Sequence, residues 1–191
     1  EGPSVHKMVE MKHMTSASVA AGAHAAALWR IFSPEQRLAA SAEAVRELER
    51  ALTPRQPPPQ RCQVTVVGVG LTGLAVGSFF AHEGASCALL EKTGAVGGVW
   101  RWYGNPFSRV NSTETGYRLP VIRRAPNSNH SHFCEILTDC LLVIEQYDLA
   151  SRIHLEVDVT GTSRLSLEQW RTTGVTPSGR FAIASSWTVM C

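Results

Sequence analysis

Three glycines and one carboxylate are the residues of this sequence whose types and spacing point most directly to chemistry. Gly68, Gly70 and Gly73 form a GxGxxG pattern directly after the apolar, β-branched run Cys62–Val67. Glycines permit a tight turn, and the first N–H groups of a following helix offer hydrogen bonds and positive potential to a phosphate. Glu91 comes close to the roughly 20-residue separation at which a carboxylate accepts hydrogen bonds from a ribose. Together these residues predict a site for a dinucleotide.

The elements that must position these residues occur in the required order. The run Cys62–Val67 predicts a buried strand, and Leu71–Glu83 has the apolar periodicity of a helix that Gly84 closes. Ser86–Leu90 predicts a second strand, which ends at Glu91. A strand, a crossover helix and a second strand in one sheet require the two strands to be parallel neighbours. The sequence therefore predicts an α/β fold.

The residues that follow Glu91 resemble a known family. Gly97-Gly98-Val99-Trp100 is similar to the GG-x-W segment that the flavin-containing monooxygenases and the related Baeyer–Villiger monooxygenases place shortly after the ribose-binding acid. The segment Asn105–Leu119 resembles the stretch that passes the flavin ring in that family. A predicted helix over Ser131–Tyr147 and a predicted strand over Ile153–Val159 follow in the family's order. The resemblance covers about residues 62–160.

This resemblance implies a Rossmann-like FAD-binding domain, a parallel sheet with a small antiparallel addition. It implies that the glycines of the turn lie on the FAD pyrophosphate and that Glu91 binds the adenosine ribose. Asn111 would lie near the flavin ring edge, and the main chain of Val159 would meet the adenine. The cofactor-binding residues so implied are Gly68, Gly70, Leu71, Thr72, Gly73, Glu91, Lys92, Gly98, Val99, Trp100, Arg101, Asn111 and Val159.

Two features near this segment have ordinary structural alternatives. Trp102 is as consistent with core packing as with a cofactor contact. Five arginines in this part of the chain face only one acid, Glu114, so they form either a solvated basic face or a surface for an anionic cofactor or acidic partner. These arginines are Arg101, Arg109, Arg118, Arg123 and Arg124.

The family's reaction requires more than FAD. In the family, NADPH binds a second nucleotide domain with its own glycine turn and reduces the flavin, which then activates oxygen. After Gly73 the sequence has neither a second GxGxxG or GxGxxA nor the Baeyer–Villiger fingerprint with its histidine. NADPH is therefore not expected on this chain alone, and no catalytic residue is assigned.

Three functions remain open from the sequence. The chain is a truncated FAD-binding domain without turnover of its own, or a pseudoenzyme that serves as a structural or assembly subunit. Alternatively, it is a monooxygenase fragment whose NADPH-binding half is on another chain. We favour a non-catalytic subunit of a larger complex that is organellar or membrane-associated. The sequence alone leaves undecided whether the chain is an enzyme.

Composition excludes several other classes. The 191 residues carry 18 Lys and Arg against 16 Asp and Glu, a net charge of +2, which argues against a nucleic-acid partner. The five cysteines have no CxxC spacing, so a zinc site or a disulfide framework is not indicated. His130 and His132 have no further ligands around them in a defined element, and no metal site is predicted.

Residues 1–60 predict a helical arm that ends in a proline-rich linker, ahead of the domain at residues 61–191. Ser33-Pro34 begins an amphipathic helix, and the prolines of Thr53–Pro59 end it. Short helices gain little by folding alone, so we expect the arm to contact other protein subunits, among them a membrane complex. No run of 18 apolar residues predicts a transmembrane helix of its own. A chloroplast or a mitochondrion, after removal of a targeting peptide, fits this arm, and the cytoplasm is the alternative.

Limited proteolysis tests the independence of the arm. The isolated chain should be cut within residues 1–60 and leave a stable core that begins near Arg61, because the proline linker holds the arm away from the domain. Mass spectrometry of the fragments identifies the cut sites. An arm that resists the protease as well as the core does would show that it packs on its own domain.

Overall fold

The structure of the protein is a computed structural model that describes residue 46 and residues 56–105, 107–113, 116–121 and 127–191. The predicted helical arm therefore lies outside the described residues, apart from Arg46 and the last residues of the linker. The fold described below is that of residues 56–191.

The predicted strand–helix–strand unit is present. Strand β1 (Arg61–Val67) leads through the glycine turn into helix α1 (Leu71–His82), and strand β2 (Cys87–Glu91) follows. β1 and β2 are parallel neighbours, with Val64 opposite Cys87 at the start of the pairing. The parallel pairing predicted from the sequence is confirmed.

The other elements complete a mixed sheet of six strands. Its order is β3-β2-β1-β6-β5-β4, in which β6, β1, β2 and β3 are parallel and β4, β5 and β6 are antiparallel. These elements are α2 (Val99–Trp102), α3 (Phe133–Gln146), a 3₁₀ turn (Ala150–Arg152), β3 (Ile153–Leu155), β4 (Asp158–Ser166), β5 (Gln169–Thr176) and β6 (Gly179–Met190).

β6 is shared between the two parts of the sheet. Its first half pairs with β5 as far as Ser185, and its second half pairs with β1 from Ala184 onward. β4 starts directly after β3 in sequence but lies at the opposite end of the hydrogen-bonding order. The N–H of Val157, just before β4, donates to the carbonyl of Glu91 at 2.9 Å. The sheet therefore curls, and its antiparallel part lies over one face of the parallel part.

Two apolar layers result from this curl. The larger one joins the parallel strands to α1 and α3, and the smaller one lies between the parallel and antiparallel strands. The apolar spacing between Phe133 and Ile144 predicts that one side of this helix is buried. In the structure α3 begins at Phe133 rather than Ser131 and is buried on all sides from Cys134 to Ile144, with Glu135, Thr138 and Asp139 among the buried residues. Burial raises the pKa of the Cys140 thiol within this helix. The smaller layer contains Cys62, Ala88, Leu90, Val157 and Ile183.

Two predicted strands differ from the structure. The predicted strand Ile153–Val159 is broken at Glu156, whose φ of 58° is incompatible with an extended strand, so β3 and β4 are separate. The sequence also predicts a strand over Leu165–Arg171, but in the structure this range contains the turn between β4 and β5. The alternation of apolar and polar residues continues through the break at Glu156, so periodicity alone could not find it, whereas at the β4–β5 turn the alternation is interrupted by Glu168 and Gln169. The sequence predicts a further strand over Arg180–Val189, and the structure confirms it within β6.

The described part of the chain contains no membrane-spanning helix, no metal-binding cluster and no disulfide. None of its helices is long and apolar enough to cross a membrane. Its residues form no group of three or more His, Cys, Asp or Glu side chains able to hold a metal ion. All five cysteines of the sequence are free thiols in the structure.

His154 on β3 makes the stability of the fold depend on pH. The side chain is buried, its Nδ1 lies 3.1 Å from the carbonyl oxygen of Gln56, and burial lowers its pKa below the ordinary value of 6.5. The imidazole of His154 therefore binds a proton more readily in the unfolded chain than in the folded chain. The free energy of unfolding should be constant above about pH 6.5 and should fall as the pH drops below it.

Urea titrations at pH 7.5 and pH 5.5 measure this effect. The wild type should lose up to about 1.4 kcal/mol per pH unit more than His154→Gln between these values. The matched control is His82→Gln, since His82 is exposed at the end of α1. A His154→Gln chain with the same pH dependence as the wild type would show that His154 does not contribute.

Candidate dinucleotide-binding site

The glycine turn joins the carboxyl end of β1 to the first turn of α1. Gly68 has a φ of 95°, which glycine adopts without strain, and its N–H donates to the carbonyl of Leu90 at 2.8 Å. A Cβ added to Gly68 would stand 2.7 Å from the carbonyl oxygen of Cys191. Gly70 immediately precedes α1, whose first N–H groups have no partner within the helix. The start of α1 therefore offers backbone N–H donors, and no side chain stands at Gly68 or Gly70.

Gly73 brings α1 against the turn. A Cβ at this position would stand 1.9 Å from the carbonyl oxygen of Gly68 and 3.7 Å from the Val66 side chain. No other residue fits at this distance without moving the helix. The third glycine of the pattern is thus explained by the packing of the helix on β1, and the first two by the turn itself.

The carboxylate of Glu91 is attached to the turn. One oxygen, Oε2, accepts from the N–H of Val69 at 2.9 Å, and the other, Oε1, accepts from the N–H and the hydroxyl of Thr93 at 2.9 and 2.8 Å. The side chain is 8% exposed. Two carboxylate oxygens offer about four acceptor positions. Three are in use, and about one remains for a hydroxyl of a ligand.

A second pair of glycines lies next to the first. Gly97 and Gly98 have φ values of 105° and 54°, and the N–H of Gly97 donates to the carbonyl of Val69 at 2.9 Å. A Cβ on Gly98 would stand 3.0 Å from the Cα of Gly70. The GG-x-W segment therefore meets the GxGxxG turn backbone against backbone, and this contact constrains Gly98 more than Gly70, whose added Cβ would stand at an ordinary 3.6 Å from the Cα of Gly98.

Two tryptophans follow this glycine pair, and each donates a hydrogen bond from its indole N–H to a hydroxyl group. The indole N–H of Trp100 donates to the Tyr117 hydroxyl at 2.9 Å, and their rings meet edge to face. The indole N–H of Trp102 donates to the Thr93 hydroxyl oxygen at 3.1 Å, and the Arg101 guanidinium lies over the Trp102 ring, 5.1 Å from its centre. Trp102 is about half exposed, so it is attached to the Glu91 network rather than buried in the core.

Apart from Trp100 and Arg101, the predicted site residues fall into three groups. The glycines, Glu91, and Leu71 and Thr72 of the first helical turn surround the turn after β1, and Val99 is exposed beside them. Lys92 forms an ion pair with Asp158 at 3.7 Å, which brings the start of β4 and its neighbour Val159 next to the chain after Glu91. Asn111 is exposed in the loop that precedes α3. Of the five arginines, Arg123 and Arg124 lie outside the described residues, as does Glu114.

The arrangement fits a dinucleotide. It provides a backbone surface cleared of side chains, the unpartnered N–H groups at the start of a twelve-residue helix, and a buried carboxylate with an acceptor position left. Phosphates bind at helix starts of this kind because the N–H groups and the helix dipole both favour negative charge. A ribose hydroxyl is the donor that suits the remaining position on Glu91.

Comparison with known proteins agrees with this geometry. No family model matches the chain. It is 30% identical over 114 residues to the neopentalenolactone D synthase of Streptomyces avermitilis, over 57% of this chain and 19% of that protein. It is 27% identical over 137 residues to the FAD-binding monooxygenase VdtE of Byssochlamys spectabilis, over 69% of this chain and 24% of that protein.

The solved structures show the same fold. An oxidized steroid monooxygenase bound to NADP superposes on 70% of this chain and 26% of its own, with a TM-score of 0.61 and 24% identity. The chain is similar in sequence and in fold to part of the flavin-dependent monooxygenases. The resemblance stated from the GG-x-W segment is thereby confirmed. The chain spans about a fifth to a quarter of the length of these relatives.

Sequence reasoning missed two residues of the site. Thr93 binds Glu91 through both its N–H and its hydroxyl and accepts from Trp102. Tyr117 anchors Trp100. The position of Thr93, two residues after an acid, is a known local pattern of side-chain bonding and could have indicated its role. Tyr117 is 17 residues from its partner, and no local signal announces that contact.

The close approach at Gly73 has a measurable consequence. Gly73→Ala should lower the free energy of unfolding by about 2 kcal/mol or more, because the new methyl group would collide with a backbone carbonyl that cannot rotate away. Gly161→Ala is the matched control, since its Cβ would meet Thr173 Oγ1 at an ordinary 3.5 Å. Urea midpoints compare the two. Equal midpoints would contradict the packing role of Gly73.

Proposed function

We propose that residues 61–191 bind FAD as a Rossmann-type domain of flavin-monooxygenase ancestry. The observation that carries the proposal is the Glu91 carboxylate, held at the glycine turn by the Val69 N–H with one acceptor position to spare. The kinship with flavin-dependent monooxygenases supports FAD as the dinucleotide. Of the predicted residues, the three glycines would hold the pyrophosphate and Glu91 the adenosine ribose.

The residues of the chain would bind and orient the cofactor. The N–H groups at the start of α1 would donate to the phosphate oxygens, and Gly98 would leave the backbone of the turn open to them. Trp102, through Thr93, would keep the Glu91 carboxylate in position for the ribose hydroxyl. FAD, when bound, supplies electron transfer and the activation of oxygen.

The role we propose for these residues is non-catalytic, within a larger assembly that the arm at residues 1–60 joins. The sequence offers one glycine turn of the dinucleotide type, and that turn is assigned to FAD. The alternative is a monooxygenase whose NADPH site is on another chain. The organelle and the membrane complex suggested by the arm belong to the same proposal.

Flavin content tests the site. The chain purified with added FAD should show flavin absorbance near 375 and 450 nm, roughly the usual positions of the bands. Gly70→Asp should lose it, because the substitution adds bulk and negative charge where a phosphate must approach. Gly161→Asp, which places the same side chain on β4, should keep it. Equal flavin content in the two variants would refute the site.

NADPH distinguishes the two roles. The flavin-loaded chain should keep its 450 nm band when NADPH is added under anaerobic conditions, if it lacks a nicotinamide site as proposed. Dithionite is the control, since it should bleach the band without any protein site. Bleaching by NADPH alone would contradict the non-catalytic role while leaving the FAD site intact.

A further inference from the structure

One edge of β6 has no neighbouring strand over its first half. β6 pairs with β5 from Gly179 to Ser185, whereas its pairing with β1 begins only at Ala184. Among the described residues, no strand therefore lies beside Gly179–Ile183 on the β1 side. A strand edge of this kind presents unpaired N–H and C=O groups to solvent.

The segment before β1 lines one side of the space beside this edge but cannot pair with it. It consists of Pro57, Pro58 and Pro59, and proline has no N–H to donate. The carbonyl of Gln60 accepts the last bond, from the N–H of Ala184 at 3.0 Å. Further toward the N-terminus, the carbonyl oxygen of Gln56 contacts His154 on β3, which is separated from β1 by β2. A groove of about 560 Å³ opens between the prolines and β6.

Three arginines share the outer sheet face at this groove. Arg61 and Arg171 both lie opposite Ala184, so they are in one row, about 10 Å apart across two strand spacings. Arg180 lies four residues before Ala184 on β6, on the same face because side chains alternate. The residues between them on β6 are Ala182 and Ala184, which leave the guanidinium groups unobstructed.

These arginines carry uncompensated charge. All three are exposed, and in the part of the chain that the structure describes none of their guanidinium groups has a hydrogen bond or an ion pair. Asp158 lies opposite Val175, which lies opposite Arg180, so the three residues form one row across the sheet. The carboxylate of Asp158, however, is paired with Lys92. An unpaired strand edge and an unpaired basic face therefore coincide at one groove.

We propose that this groove binds an extended acidic segment of a partner protein, which adds to the sheet as a strand beside Gly179–Ile183. Backbone hydrogen bonds to the free edge of β6 would supply binding that does not depend on sequence. Glutamate or aspartate at alternate positions would face Arg180 and, over the two alanines, Arg171 and Arg61. The face that the arginines occupy sets the side on which the acids must lie.

The arrangement favours a peptide over a nucleic acid. A nucleic-acid backbone would use the arginines but not the strand edge, and the chain has a net charge of only +2. An extended peptide uses both features, because its same-face side chains repeat every 6.6–7 Å or so along the strand. The strand edge is therefore the observation that decides between the two partners.

Fluorescence anisotropy with the full chain tests the proposal. The probe is a labelled, capped nine-residue peptide in which glutamate alternates with threonine. It should bind, and the double variant Arg171→Gln/Arg180→Gln should weaken binding by about tenfold, as expected for the loss of charge-assisted contacts. Arg164→Gln is the charge-matched control for the single variant Arg180→Gln, which should also weaken binding, because Arg164 lies over Trp170 at the β4–β5 turn, away from the groove. Circular dichroism establishes that each variant is folded.

Two further probes separate strand addition from simple attraction of charge. The same peptide with an N-methyl group on every backbone amide keeps its carboxylates but loses its backbone donors in either strand direction, and it should bind at least tenfold more weakly. Equal binding of the methylated peptide would overturn strand addition. Absence of binding by the unmodified peptide, equal loss in Arg164→Gln, or tighter binding of a single-stranded oligonucleotide at the same arginines would each overturn the proposal.

Discussion

The carboxylate of Glu91 is the interaction on which the candidate site depends. It accepts hydrogen bonds from Val69, which belongs to the turn after β1, and from Thr93, which begins the segment leading to the second glycine pair. A buried carboxylate is costly without donors, so these bonds fix the turn and the segment against each other. The same donors hold the carboxylate where a ribose would meet it. The stability of the site and its capacity to bind therefore come from one side chain.

The glycines follow from the same constraint. Once Glu91 holds the two loops together, the backbones of Gly70 and Gly98 lie in contact, and α1 approaches the Gly68 carbonyl at Gly73. A side chain at Gly98 would press on the turn, and one at Gly73 would push the helix away from it. A spacing that looks like a ligand-binding signature is thus also a packing requirement, and a GxGxxG pattern alone does not distinguish the two. The acceptor position left on Glu91 is what favours the ligand.

The local part of the fold was predictable, and the long-range part was not. The strand at Cys62–Val67, the helix after it and the acid at position 91 are each encoded by neighbouring residues whose periodicity and glycine spacing give the order. The curl of the sheet is not local. It depends on a positive φ at Glu156 and on β6 changing partners near Ala184, neither of which leaves a periodic trace. The contact between Trp100 and Tyr117 was missed for the same reason.

β6 connects the two proposed binding regions. The glycine turn lies at the carboxyl end of β1 and the arginine groove at its amino end, about 20 Å apart for a seven-residue strand. The first half of β6 forms the groove edge, and its last residues lead to Cys191, whose N–H donates to Val67 just before the turn. A strand is rigid along its length, and its register against β1 is set by six paired positions. The arginine groove and the glycine turn are therefore joined through one strand, and a shift of β6 along β1 would move both.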